Sequence, residues 1–164
     1  MRIALYQPDI PQNTGTILRL GACLGIPVEV IGPTGFDMTD RALRRAGLDY
    51  LTHVKIRRHA SFDRFEEWRH SERGRLVLLS AHGDTSHVKH GFRQDDILLL
   101  GRESAGVPRE VHDLADARVA VPMQAGMRSL NMAVAAAIVL GEALRQTGGY
   151  PPLAPFRPFR PNPD

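Results

Sequence analysis

The segment ILLLGRESAGVP occupies residues 97–108. Four apolar residues lead directly into Gly101, and an apolar run that ends at a turn residue is typical of a strand buried on both faces. The loop that follows contains Gly106, and glycine permits either a positive φ or a close approach of the backbone to a ligand. Ligands of open α/β sheets bind at the carboxyl ends of the strands. The segment therefore predicts a central strand whose loop borders a binding site.

A second segment, VAVPMQAGMRSLNMA at residues 119–133, repeats this pattern. It predicts a strand over 119–121, a loop that contains Gly126, and a long apolar helix for which Ser129 is the expected N-cap. The N-terminus of such a helix offers free N–H groups to an anion. Taken alone, the first segment is also explained by a simple βα turn. Together, the two loops predict a small-molecule site.

Composition places the chain among single-domain proteins of a reducing compartment. Its 164 residues are enough for one domain, predicted over residues 1–150, and the proline-rich residues 151–164 predict a disordered tail. No apolar run reaches the ~18 residues of a membrane span, and the N-terminus lacks the apolar core of a signal peptide. The only cysteine, Cys23, lies in an apolar helical pattern, so we expect a buried thiol and a cytoplasmic protein.

The cationic side chains are almost all arginines. The formal net charge is +3, and only Lys55 and Lys89 among the 21 basic residues are lysines. Arginine makes bidentate contacts with phosphate and stacks on bases, so this bias favours an RNA partner. A GC-rich genome produces the same bias, and composition alone leaves both explanations open.

Strands and helices alternate along the chain, which predicts a parallel α/β sheet flanked by helices. The predicted strands are 3–6, 28–31, 54–56, 76–79, 97–100 and 119–121, and the predicted helices are 14–24, 41–47, 61–70, 109–114 and 129–146. The last helix is apolar nearly all round over residues 132–144. Such a helix lies either in the core or against a second subunit, and both options stay open.

Three of these segments, taken in order, resemble the motifs of the SPOUT RNA methyltransferases. They are NTGTILR at 13–19, GRESAGVP at 101–108, and VPM at 121–123 together with SLN at 129–131. The segment RRAGLDY at 44–50 is similar to the tRNA (cytidine/uridine-2′-O)-methyltransferases that act on the wobble nucleotide. The resemblance covers residues 1–150.

This resemblance implies a parallel sheet with a C-terminal trefoil knot, S-adenosylmethionine as cofactor, and a homodimer in which each site is completed by the partner chain. The implied reaction is methylation of the ribose 2′-oxygen of a wobble cytidine or modified uridine in a leucine tRNA. Another tRNA or rRNA position and a non-catalytic RNA-binding scaffold remain the alternatives. The reaction needs neither a metal nor a membrane.

The resemblance also implies roles for particular residues. The catalytic candidates are Asn13, Arg19, Ser129 and Asn131. The cofactor-binding candidates are Leu79, Gly101, Glu103, Val121, Met123, Ser129 and Leu130. The basic cluster Arg41, Arg44 and Arg45 is expected to contact RNA. Because arginine stays protonated, Arg19 is a better positioner of the ribose hydroxyl than a free base, although both roles stay open. The chain departs from many relatives at Arg102, Ala105 and Gly141.

Other enzyme classes fit the sequence less well. A dinucleotide-dependent dehydrogenase predicts G-x-G-x-x-G after the first strand, where this chain has PQNTGTILRLG. Ser104 and Ser129 lack the His and Asp pattern of a hydrolase triad. The three histidines at 82, 87 and 90 share one loop without a converging cysteine or carboxylate, so we expect no metal site.

Overall fold

The structure is a computed structural model that describes residues 1–38 and 52–153. The predicted helix at 41–47, with Arg41, Arg44 and Arg45, lies outside the described residues. Most of the predicted tail, residues 154–164, lies outside them as well.

The described chain forms one parallel sheet with helices on both faces, which confirms the predicted fold class. The strands are β1 Arg2–Tyr6, β2 Val28–Ile31, β3 Ile56–His59, β4 Arg75–Leu79, β5 Thr85–Ser86, β6 Asp96–Leu100 and β7 Ala117–Ala120. The helices are α1 Pro11–Leu24, α2 Phe62–Glu72, α3 Arg109–Leu114 and α4 Met132–Thr147. The strand order is β3-β2-β1-β6-β4-β7-β5, and all the paired strands run parallel.

Strand β6 lies at the centre of this sheet, between β1 and β4, and all five of its residues are buried. Alternate side chains therefore enter two cores. Leu98 and Leu100 pack into the core beneath α1 and α4, while Ile97 and Leu99 pack into the core beneath α2 and α3. The apolar run at residues 97–100 is continuous because helices cover both faces of the sheet.

Several predicted boundaries were wrong. Helix α1 begins at Pro11 rather than at residue 14, because proline suits the first turn of a helix, where no N–H is needed. Strand β3 starts at Ile56 rather than 54, and β7 ends at Ala120 rather than 121. The two-residue strand β5 was missed because it is too short to show a period in the sequence.

Two predictions for single residues were also wrong. Helix α4 begins at Met132 with Asn131 as its N-cap, whereas Ser129 lies in the preceding loop. Cys23 is exposed on α1 rather than buried. Among the described residues, no helix is long and apolar enough to cross a membrane.

Candidate active site

A cavity of about 720 Å³ opens at the carboxyl ends of β4, β6 and β7. This is the edge at which ligands of parallel sheets bind. The predicted site residues that line it are Asn13, Leu79, Gly101, Glu103, Val121, Met123, Ser129, Leu130 and Asn131. The structure thus brings together residues that span nearly 120 positions of the chain.

One wall of the cavity is apolar. Leu79 at the end of β4, Val121 after β7 and Leu130 before α4 contribute side chains to it, and Val139 of α4 closes the floor. Buried apolar surface with backbone groups at its edge suits a flat heterocycle such as adenine.

The loop after β6 is a closed turn. The Arg102 N–H donates to the Gly106 carbonyl and the Gly106 N–H donates to the Arg102 carbonyl, both at 2.8 Å. Gly106 has φ of 68°, in the region that favours glycine. A Cβ at Gly101 would lie 2.5 Å from the carbonyl carbon of Gly106, so only glycine allows the turn to fold this tightly against the strand end.

A chain of hydrogen bonds joins the three motif segments. Asn131 Oδ1 accepts the N–H groups of Ala133 and Val134, at 2.9 and 3.3 Å. Its Nδ2 therefore faces away from the helix and donates to Asn13 Oδ1 at 2.9 Å. Asn13 Nδ2 in turn donates to Glu103 Oε1 at 3.1 Å. The helix cap thus fixes the orientation of both amides and of the Glu103 carboxylate.

The second oxygen of Glu103 reaches the loop after β1. Glu103 Oε2 accepts the backbone N–H of Asp9 at 3.0 Å, and the Asp9 carboxylate accepts the Ser104 hydroxyl. Contact with Glu103 and Ser104, together with the charge of Arg102, lowers the pKa of Asp9 to about 2. Asp9 is therefore ionised at neutral pH and tethers the first loop of the chain to the cavity.

Several residues at the site were not predicted from the sequence. Asp9, His82, His112 and Arg128 were not proposed, although the last three line the cavity. Asp9 and His82 follow strand ends, which is a weak sequence signal, whereas His112 lies on α3 and Arg128 lies in the long loop after β7. Arg19, a predicted catalytic residue, is exposed on α1 and does not line the cavity. Within the described residues, no cluster of three His, Cys, Asp or Glu side chains could hold a metal ion.

Comparison with known proteins identifies the family. The sequence model of the SpoU rRNA Methylase family matches residues 1–141. The chain belongs to this family. The family resemblance inferred from the three motifs is thus confirmed, and so is the parallel α/β architecture.

Relatives within this family are similar over almost their whole length. A tRNA (cytidine(34)-2′-O)-methyltransferase of Beijerinckia indica is 60% identical over 89% of this chain and 91% of its own. A solved structure described as "Structural insights into the 2-OH methylation of C/U34 on tRNA" is 43% identical, with a TM-score of 0.83, and covers 88% of this chain and 94% of its own.

A third relative was solved with its cofactor. The SpoU methyltransferase AviRb of Streptomyces viridochromogenes, in complex with AdoMet, is 31% identical with a TM-score of 0.82 and covers 89% of this chain and 57% of its own. The cavity described above fits such a molecule. Its volume lies within the ~300–1,000 Å³ typical of ligand sites, and it combines an apolar slot with a few convergent polar groups.

The trefoil knot expected for this family stays a prediction. Contacts between distant segments fix the position of the C-terminal helix. Gln146 on α4 donates to the His90 carbonyl at 3.0 Å and accepts the Phe92 N–H at 2.9 Å, across more than 50 residues. These bonds hold the last helix against the segment between β4 and β6.

Asn131 offers a test of the hydrogen-bond chain. We expect Asn131→Ala to lower the free energy of unfolding by about 1 kcal/mol, because the N-cap is lost. Asn131→Asp keeps the cap but has no N–H to give to Asn13. It should therefore retain most of the stability while weakening S-adenosylmethionine binding, with both quantities measured by urea unfolding and calorimetry.

The matched control is Ser61→Ala on α2. Ser61 caps its helix by accepting the Arg64 N–H, and it does not line the cavity. It should cost similar stability and leave cofactor affinity unchanged. Wild-type cofactor affinity in Asn131→Asp would contradict the proposed chain.

Proposed function

We propose that this protein methylates the ribose 2′-oxygen of the wobble nucleotide of a tRNA, using S-adenosylmethionine. The expected substrate is the cytidine or modified uridine at position 34 of a leucine tRNA. The observation that carries the proposal is the cavity in which Asn13, Glu103 and Asn131 are joined by hydrogen bonds. Relatives with up to 60% identity carry the corresponding name, which supports the substrate.

The cofactor supplies a methyl group already activated on a sulfonium. The residues of the chain have two remaining tasks: to hold the ribose hydroxyl in line with the methyl carbon, and to help remove its proton. Asn13 and Asn131 present fixed amides at the cavity mouth. We propose that Ser129 contacts the reacting ribose or the cofactor, and that Glu103 and the backbone at Leu79, Gly101, Met123 and Leu130 bind the cofactor.

We further propose that the active form is a homodimer formed through α1 and α4. These helices pack together, and their outer face carries Val134 and Ile138, which are 47% and 38% exposed. Arg19 and Cys23 lie exposed on α1. Apolar side chains in such a position are favourable when a second copy covers them. In this arrangement Arg19 completes the cavity of the partner subunit.

Arg41, Arg44 and Arg45 lie outside the described residues, and their RNA contact remains a proposal from the sequence. A cytoplasmic location follows from the proposed tRNA substrate. The proposed reaction requires no metal and no membrane.

The proposed reaction is tested by methyl transfer from labelled S-adenosylmethionine to total tRNA that lacks the wobble modification, followed by mapping of the labelled nucleotide. Label on the 2′-oxygen of nucleotide 34 is the expected result. Label on a different nucleotide would keep the chemistry and reject the substrate. Cofactor binding without transfer to any RNA would indicate a non-catalytic scaffold.

A further inference from the structure

Two arginines that have no role in the reaction proposed above line the cavity. Arg102 is in the closed turn after β6, and Arg128 is in the long loop after β7. Both side chains line the same cavity. Two long side chains at one cavity can reach the same ligand or two neighbouring groups of one ligand.

Contacts within the described part of the chain do not occupy all the N–H donors of either guanidinium group. Arg102 forms an ion pair with Asp9, whose Oδ2 lies 3.8 Å from Arg102 Nε, a distance too long for a hydrogen bond. Nε is buried without a hydrogen-bond partner among the described residues. Arg128 is exposed and makes no hydrogen bond or ion pair with any described residue. Most of the ten N–H donors of the two guanidinium groups are therefore available.

The surroundings of these arginines favour an anion outside the apolar slot. Ser104, Ala105 and Ser129, which neighbour them in sequence, are exposed, so this part of the cavity is its rim rather than its floor. Glu103, the acidic residue among those lining the cavity, already accepts two hydrogen bonds. Guanidinium groups bind phosphate and carboxylate oxygens in a bidentate manner.

We propose that Arg102 and Arg128 form an oxyanion subsite on the cavity rim that binds the RNA phosphodiester groups flanking the ribose to be methylated. This inference rests on the proposed function. It assigns the two arginines to substrate binding and orientation, while the cofactor is held deeper, by the apolar slot. Contacts to phosphate position a nucleic acid without reading its sequence, so these residues align the ribose and do not select the base.

The test compares Arg102→Gln and Arg128→Gln with wild type in three measurements. These are cofactor Kd by calorimetry, KM and kcat for tRNA, and the dependence of tRNA Kd on salt. We expect cofactor Kd within twofold of wild type and a five- to twentyfold rise in KM. Each lost phosphate contact should also reduce the slope of log Kd against log salt by about 0.7 to 0.9.

Two variants serve as controls. Arg64→Gln removes an exposed arginine from α2, outside the cavity, and should change none of the three quantities. Asp9→Asn removes the carboxylate beside Arg102 while leaving the guanidinium in place. If Arg102 served only to pair with Asp9, Asp9→Asn would reproduce the KM increase of Arg102→Gln. That result would overturn the proposal.

Two further outcomes would also overturn it. A tenfold or larger rise in cofactor Kd with unchanged KM for tRNA would assign the arginines to the cofactor carboxylate. Unchanged values throughout would show that no oxyanion is bound there. Binding of tRNA can be measured without turnover, which separates this proposal from the proposed function. A wild-type protein that binds tRNA but transfers no methyl group would refute the proposed function. The salt dependence of tRNA Kd in the two variants would still test the subsite.

Discussion

Gly101→Ala is expected to weaken S-adenosylmethionine binding by at least 100-fold, equivalent to about 2.7 kcal/mol. The added Cβ would lie 2.5 Å from the Gly106 carbonyl carbon and 2.8 Å from its Cα. Both atoms belong to the backbone and cannot rotate away. The turn that holds Glu103 would have to move off the end of β6. Cofactor affinity measured by calorimetry, with a parallel thermal melt, checks this result.

Gly91→Ala is the matched control for this substitution. A Cβ at Gly91 meets nothing within 4 Å, and the backbone there does not have a positive φ. We expect its stability to change by less than about 0.5 kcal/mol and its cofactor affinity to stay as in wild type. If Gly101→Ala binds the cofactor normally, the turn after β6 is not part of the binding site.

Arg19→Ala is expected to reduce methyl transfer at least 100-fold while leaving cofactor affinity within twofold. Positioned groups that assist proton transfer contribute roughly 10²- to 10⁴-fold to rate, and Arg19 does not line the cavity of its own chain. Arg19→Lys retains the charge but loses the planar bidentate donor, so only a small part of the activity should return. Single-turnover rates with saturating cofactor measure this effect. Full turnover by Arg19→Ala would exclude both roles considered for this side chain.

Mixed dimers decide which cavity Arg19 serves. Arg19→Ala and Gly101→Ala chains, denatured together and refolded, should form hybrid dimers in which one chain has an intact cavity and the other an intact Arg19. If Arg19 acts across the dimer interface, activity should recover, although each variant alone is inactive. No recovery, with hybrid dimers demonstrated by mass spectrometry, would assign Arg19 to its own chain.

The architecture was predictable because its strongest signal is local. The apolar run at the centre of the sheet and the alternation of strands and helices require only the periodicity of neighbouring residues. Gly101 was predictable as part of a ligand-binding loop from its position after the central strand. Asn131 was predictable as a site residue only through the resemblance to a family, because its role depends on a contact across more than 100 residues, with Asn13.

Two of the incorrect predictions depend on contacts that the sequence alone does not show. Ser129 and Asn131 are both good N-caps, and the sequence alone does not show which one precedes the first helical turn. The structure selects Asn131, because its amide also reaches Asn13. Cys23 fits an apolar helical pattern but is exposed on α1. Periodicity identifies a helix more reliably than it identifies which residues are covered.

The structure shows the surroundings of Arg102 and Gly141, two positions at which the chain departs from many relatives. Arg102 proves to line the cavity. At Gly141, the hydroxyl of Tyr150 donates to the Gly141 carbonyl at 3.1 Å. A Cβ at this position would lie 3.1 Å from the tyrosine oxygen. The hydroxyl of Tyr150 thus contacts α4 at the position of this glycine.

The proposed methyl acceptor is one oxygen atom, so the most direct measurement removes that atom. Two synthetic leucine tRNAs would be compared that are identical except that one carries 2′-deoxycytidine at nucleotide 34. With labelled S-adenosylmethionine, the account predicts one methyl group per molecule on the ribose form and none on the deoxy form, with both tRNAs binding the protein. Equal methylation of the two tRNAs would contradict it, because the acceptor would then lie elsewhere in the RNA.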